Sequence, residues 1–139
     1  VWPFRDYVIK SFNADKPFDK FVYEQLAGDV VAKGDPEREV GTVFLVCGPY
    51  DNVGNGDAKA LALIRANHAD EMIRTTTEAF LGLTFGCARC HDHKYDAIPA
   101  ADYYRMLTAF TTVVRTEAEL DLDPEKYAKA KAAFDVSHK

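Results

Sequence analysis

Phe4, Tyr7, Val8 and Phe12 recur at the spacing of one helical face, which predicts a helix from about Pro3 to Asn13. Asp15-Lys16-Pro17 interrupts it, with Asp15 as the expected cap and Pro17 close to the first turn of the next helix. That second helix carries Phe18, Phe21, Val22, Leu26 and Val30 on one face, and Gly28 weakens its end. Lys33 to Arg38 is charged around Gly34-Asp35-Pro36 and reads as a loop. Val40 to Cys47 is rich in β-branched and aromatic residues. It is expected to form one short buried strand or an extended segment crossing the core. Gly48 to Asp57 is dense in turn residues and too long for a hairpin, so it reads as a packing or functional loop.

The longest helix is expected from about Ala58 to Leu81. It places Leu61, Ile64, His68, Met72 and Ala79 on one face and Arg65, Asp70 and Arg74 on the polar side. Thr75-Thr76-Thr77 is weak in intrinsic propensity, so packing must hold that quarter. Gly82 to Gly86 ends the helix, with two glycines that would let the backbone approach something flat. Asp92 to Pro99 reads as a loop. Pro99 starts a helix through about Val113, packed by Tyr103, Tyr104, Leu107 and Phe110. Asp123-Pro124 caps a last helix with Tyr127, Ala130, Lys131 and Phe134. The fold class is therefore mainly α, a small helical domain with long loops. There is no internal repeat and no low-complexity segment.

The 139 residues suit one domain, and 47% hydrophobic residues supply a core without disulfides. Seventeen Lys and Arg against 22 Asp and Glu give a net charge of −5. No basic run or basic–aromatic interleaving marks a nucleic-acid surface, and the chain contains no membrane span or signal peptide. Of three cysteines, Cys47 lies in the apolar run Val43-Phe44-Leu45-Val46, so a buried, inert thiol is expected.

The other two change the picture. Cys87-Ala88-Arg89-Cys90-His91 is the C-x-x-C-H pattern of covalent haem attachment. Its two thiols would add across the two vinyl groups of one haem c, and the following imidazole would reach the iron as proximal ligand. The spacing suits one helical turn. Cys87, Cys90, His91 and His93 are also a nominal zinc set, although four ligands inside seven residues would be cramped and no distant Cys/His pair completes a normal site. For the second axial position the chain offers His68 and Met72, four residues apart on the longest helix. Met106 is more readily a core residue and His138 an exposed one. His93 suits hydrogen bonding to a propionate or carboxylate, and Arg89, Lys94 and Arg74 are cations able to neutralise propionates.

On these residues the chain reads as a cytochrome-c-like haem domain over 1–122 with a helical extension over 123–139. One-electron transfer with a redox partner protein is the expected role. A redox or gas-binding enzyme module with an open iron site is one alternative, and a zinc-stabilised interaction module is another. Haem c attachment takes place outside the cytoplasm, which would place the chain in a periplasm or a similar extracytoplasmic compartment.

Three stretches together resemble the domain of unknown function 1549, found in large proteins that also carry planctomycete-type cytochrome c domains. They are Phe4 to Asp19 with Glu24-Gln25-Leu26-Ala27-Gly28-Asp29, then Gly48-Pro49-Tyr50-Asp51, and then Thr75-Thr76 with Ala79 to Thr84. The last runs on through Gly86-Cys87-Ala88-Arg89-Cys90-His91-Asp92-His93-Lys94-Tyr95-Asp96 to Asp102-Tyr103-Tyr104. The resemblance covers most of residues 4 to 110. It implies a cytochrome-type haem site at Cys87, Cys90 and His91, and draws His93, Lys94 and Asp96 into the characteristic run after the motif. The family usually has Trp at the position of Tyr50 and Pro at that of Ala97. Its domain normally begins before the Val1 position, which implies that an N-terminal part is missing here, lost from the molecule or present as another chain.

Overall fold

A computed structural model of the chain describes residues 2–49, 56–117 and 123–138. The described residues form helices Trp2–Asn13 (α1), Phe18–Val31 (α2), Pro36–Glu39 (α3), Ala58–Thr76 (α4), Ala100–Phe110 (α5) and Pro124–Ser137 (α6). Among them there is no strand and no helix long and apolar enough to cross a membrane. The mainly α class read from the periodicity is correct. The described residues gather into two compact units, 43–115 on the one hand and 2–42 with 116–117 and 123–138 on the other.

In the second of these units the apolar face expected for α2 is not the buried one. Phe21, Val22 and Leu26 of that face are only half-buried, Phe18 and Val30 are exposed, and the most buried side chains are Glu24 and Gln25. The reason is a polar hub. Tyr7 donates to Glu24 Oε2 at 3.0 Å, Arg38 Nε donates to Oε1 at 2.7 Å, and Lys16 also pairs with Oε2. Burial alone would raise the Glu24 carboxyl, but the hydrogen bonds from Lys16, Arg38 and Tyr7 outweigh it and hold the group below its ordinary range. One carboxylate on α2 thus joins α1, the α1–α2 turn and α3. Asp15 does not cap α2. It sits in the left-handed turn at φ +48°, and Pro17 takes the N-cap position without a side-chain bond. The expected loop over 33–38 already enters a helix at Pro36. Asp123 does cap α6, accepting from the Lys126 N–H at 3.1 Å.

Val40–Val46 is a 3₁₀ helix, not a strand or extended segment. An extended run here has no neighbouring strand to satisfy its backbone, whereas the 3₁₀ winding pairs those groups internally. Cys47, expected to be buried, is exposed just beyond the end of that helix. Of the expected 48–57 loop, residues 50–55 lie outside the described residues.

The Val43–Arg115 unit is built on α4 and α5. Its core is Ile73, Ala88, Ile98 and Tyr103, flanked by Leu83, Phe85, Met106, Leu107 and Phe110. Asp57 caps α4 by accepting from the Lys59 N–H at 2.9 Å. The expected 58–81 helix is α-helical to Thr76 and ends in one π-helical turn, Thr77–Leu81. Thr75 and Thr77 back-bond to the carbonyls of Glu71 and Ile73 at 2.8 and 2.9 Å, whereas Thr76 is held by burial alone, its hydroxyl making no hydrogen bond. Gly82, at φ +65°, terminates the turn and hands the chain to the cysteine motif.

Candidate functional site

Phe85–Arg89 winds as a 3₁₀ helix, and the Cys90 N–H closes it onto the Cys87 carbonyl at 3.3 Å. In 3₁₀ geometry residues three apart stand on the same side of the turn. Cys87 and Cys90 are such a pair, and both thiols are free and exposed. Ala88 between them is fully buried and roots the turn in the core.

Arg89 points the other way. Its Nη1 pairs with Asp70 Oδ2 at 3.1 Å and its Nη2 donates to Asn67 Oδ1 at 3.0 Å. Tyr104 donates its hydroxyl to the Arg89 carbonyl at 2.9 Å. Asp70 is buried and also takes Arg74 Nε at 3.0 Å and the Tyr103 hydroxyl at 2.6 Å. Burial, and then the bond to Asp70, push the Tyr103 phenol well above its ordinary range, so it stays protonated as a donor. The flat group that approaches the Gly86 backbone is the Arg74 guanidinium. A Cβ at residue 86 would lie 2.5 Å from Arg74 Cζ.

The two histidines after the turn are used in different ways. His91 is exposed, and its Nδ1 lies 2.8 Å from the Asp92 carbonyl oxygen. A carbonyl only accepts, so Nδ1 carries the proton and Nε2 keeps its lone pair. In contrast, His93 is tucked in, its side chain 7% exposed. In the neutral ring its Nδ1 accepts the backbone N–H groups of Asp96 at 2.9 Å and Tyr95 at 3.3 Å, with Asp96 Oδ2 also 3.3 Å away, and Nε2 carries the proton towards Thr84 Oγ1 at 3.2 Å. Both ring nitrogens of His93 are therefore engaged inside the protein. Lys94 is exposed, its Nζ 5.1 Å from the centre of the Tyr95 ring.

The structure brings Cys87, Arg89, Cys90, His91 and His93 onto one turn and the loop that follows. It does not bring His68 or Met72 to them. Asn67, Asp70 and Arg74 form the face of α4 that meets the turn. His68 and Met72 lie on a different face and line a largely apolar cavity of about 470 Å³ with Leu45, Leu61, Ile64 and Phe110. None of the motif residues lines that cavity. Among the described residues, no three His, Cys, Asp or Glu side chains converge to hold a metal ion.

Residues 1–115 match the family model PSCyt2, described as a protein of unknown function (DUF1549). The chain belongs to this family. No curated protein and no solved structure matches it. The matched span takes in the turn, its α4 and α5 supports and the Glu24 hub, so the DUF1549 region includes both sets of contacts described above.

Sequence reasoning passed over Asn67, Tyr104 and Asp92 as parts of this site. The signal for Asn67 was present: Asn67, Asp70 and Arg74 recur at helical spacing along one side of α4. Nothing in the local sequence pairs Tyr104 with the Arg89 carbonyl.

Proposed function

We propose that this chain is an extracytoplasmic c-type haem protein whose role is one-electron transfer to or from a partner protein. One haem would be attached through Cys87 and Cys90, with His91 as proximal ligand. The observation that carries this reading is the pair of free, exposed thiols three residues apart on the 3₁₀ turn and its cap, followed by His91 with Nδ1 hydrogen-bonded to a carbonyl, which in the neutral ring leaves the Nε2 lone pair free. When bound, the haem supplies a one-electron change at its iron. The chain's own residues supply rigidity and a surface. Asp70, Asn67 and Tyr104 hold the turn from behind through Arg89. Tyr104 and Tyr95, both largely exposed, offer aromatic area beside it. Because the Arg89 guanidinium is committed to Asp70 and Asn67, Lys94 is the better placed cation for a propionate.

The placement of His68 and Met72 on another face of α4 favours a second reading, an iron whose far axial position is open. That would suit a redox or gas-binding module. A zinc-stabilised module would have to use Cys87, Cys90 and His91, because coordination by His93 would break its bonds to Asp96, Tyr95 and Thr84.

The test is a pyridine haemochrome spectrum of the mature chain, made in a host able to attach haem c, before and after acid–acetone extraction. A c-type spectrum that stays with the polypeptide is expected, and Cys87→Ala with Cys90→Ala should abolish it. A featureless visible spectrum from the mature protein overturns the haem reading, and metal analysis would follow. Carbon monoxide binding to the reduced protein separates the open-site reading from the carrier.

A further inference from the structure

We infer that Asp92 is the residue that orients His91, acting through both its backbone and its side chain. The inference rests in part on the haem reading, since its consequence for iron depends on that group being present. The geometry stands without it.

Asp92 makes two bonds in different directions. Its carbonyl accepts the Nδ1–H of His91 at 2.8 Å, and its carboxylate Oδ1 accepts the Ala100 N–H at 2.7 Å. Ala100 is the first residue of α5, whose N-cap position is held by Pro99, a residue that makes no side-chain cap. The carboxylate eight residues upstream therefore does the capping that Pro99 cannot, and sits where the helix dipole favours an anion. This pegs the Asp92 side chain to a helix that is itself anchored by buried Tyr103.

The next residue is pinned as well. The His93 N–H bonds the Ile98 carbonyl at 2.9 Å, and Ile98 is in the core. The Asp92–His93 peptide is thus held from both ends, and the carbonyl it presents to His91 has a set direction. A fixed acceptor on Nδ1 selects the tautomer with Nε2 free and holds the ring in one orientation. In the haem-bearing protein, that hydrogen bond on Nδ1 would strengthen donation from Nε2 and so favour the oxidised iron. Asp92 is a positioning residue, because it acts on the cofactor only through His91.

The test uses Asp92→Ala and Asp92→Asn in the full chain. Asn keeps an oxygen able to accept from Ala100 and should behave as wild type. The first readout, nitrogen-15 NMR of the histidine rings in haem-free protein, does not depend on the haem reading. Wild type should show His91 protonated at Nδ1 and His93 at Nε2, and Asp92→Ala should turn His91 into a mixture of tautomers. The second is the midpoint potential of the haem-bearing protein, expected to rise in Asp92→Ala and to return in Asp92→Asn. An unchanged His91 tautomer in Asp92→Ala overturns the inference, as does an unchanged potential in protein that carries haem. Wild type that carries no haem overturns the functional reading alone, and the ring spectra then decide the inference.

Discussion

The Tyr103 hydroxyl stands 2.6 Å from Oδ1 of Asp70, a buried bond between residues 33 positions apart. It joins α5 to α4. Because the same carboxylate pairs with Arg89, it also ties both helices to the cysteine turn. Removing the hydroxyl in Tyr103→Phe leaves the ring packed and should cost about 1–2 kcal/mol. Asp70→Ala leaves Arg74, Arg89 and Tyr103 facing a lost partner and should cost about 3 kcal/mol. Urea denaturation of both single variants and the double variant checks this. Additive losses would show that the two residues are not coupled.

Gly86 and Arg74 make a second test of how the turn is seated. An added methyl at residue 86 would meet the Arg74 guanidinium, which is half exposed and can swing away. Gly86→Ala is therefore expected to cost only about 1 kcal/mol, by freeing Arg74 from Asp70. In an Arg74→Ala background the same substitution should cost almost nothing. An equal loss in both backgrounds would place the strain in the backbone instead.

His93 is expected to act as a local clamp on the loop. His93→Ala deprives the Asp96 and Tyr95 N–H groups of their acceptor and should cost about 2 kcal/mol. Amide hydrogen exchange at residue 96 should accelerate well beyond the change at α1. If residue 96 is no less protected than in wild type, the clamp is not there.

Glu24 sets the acid limit of its own unit. Its folded-state carboxyl is held below the ordinary value of 4.5. The stabilisation it gives is complete above that value and is lost as the pH falls through the folded-state one. Glu24→Gln should cost about 3 kcal/mol at pH 7, and its stability curve should converge on the wild-type curve as the pH falls through the lowered folded-state value. Circular dichroism during acid titration reads both effects, and parallel acid limbs would remove Glu24 from the explanation.

Short-range chemistry was legible in the chain itself. The limits of α1, the cap at Asp123 and the C-x-x-C-H turn depend on neighbours within a few residues, where propensity and spacing dominate. The mainly α class and membership of DUF1549 rest on the same local runs. The structure alone decided which face of α2 is buried, because the Glu24 hub needs Tyr7, Lys16 and Arg38 from three other places. It also decided that Val40–Val46 coils, since a lone extended segment has no partner for its backbone. And it separated His68 and Met72 from the motif: spacing puts both on one face of α4, but which face meets the turn was settled by where Arg89 finds Asp70 and Asn67. Such choices rest on contacts between distant residues, whose pairing is fixed only when the chain closes on itself.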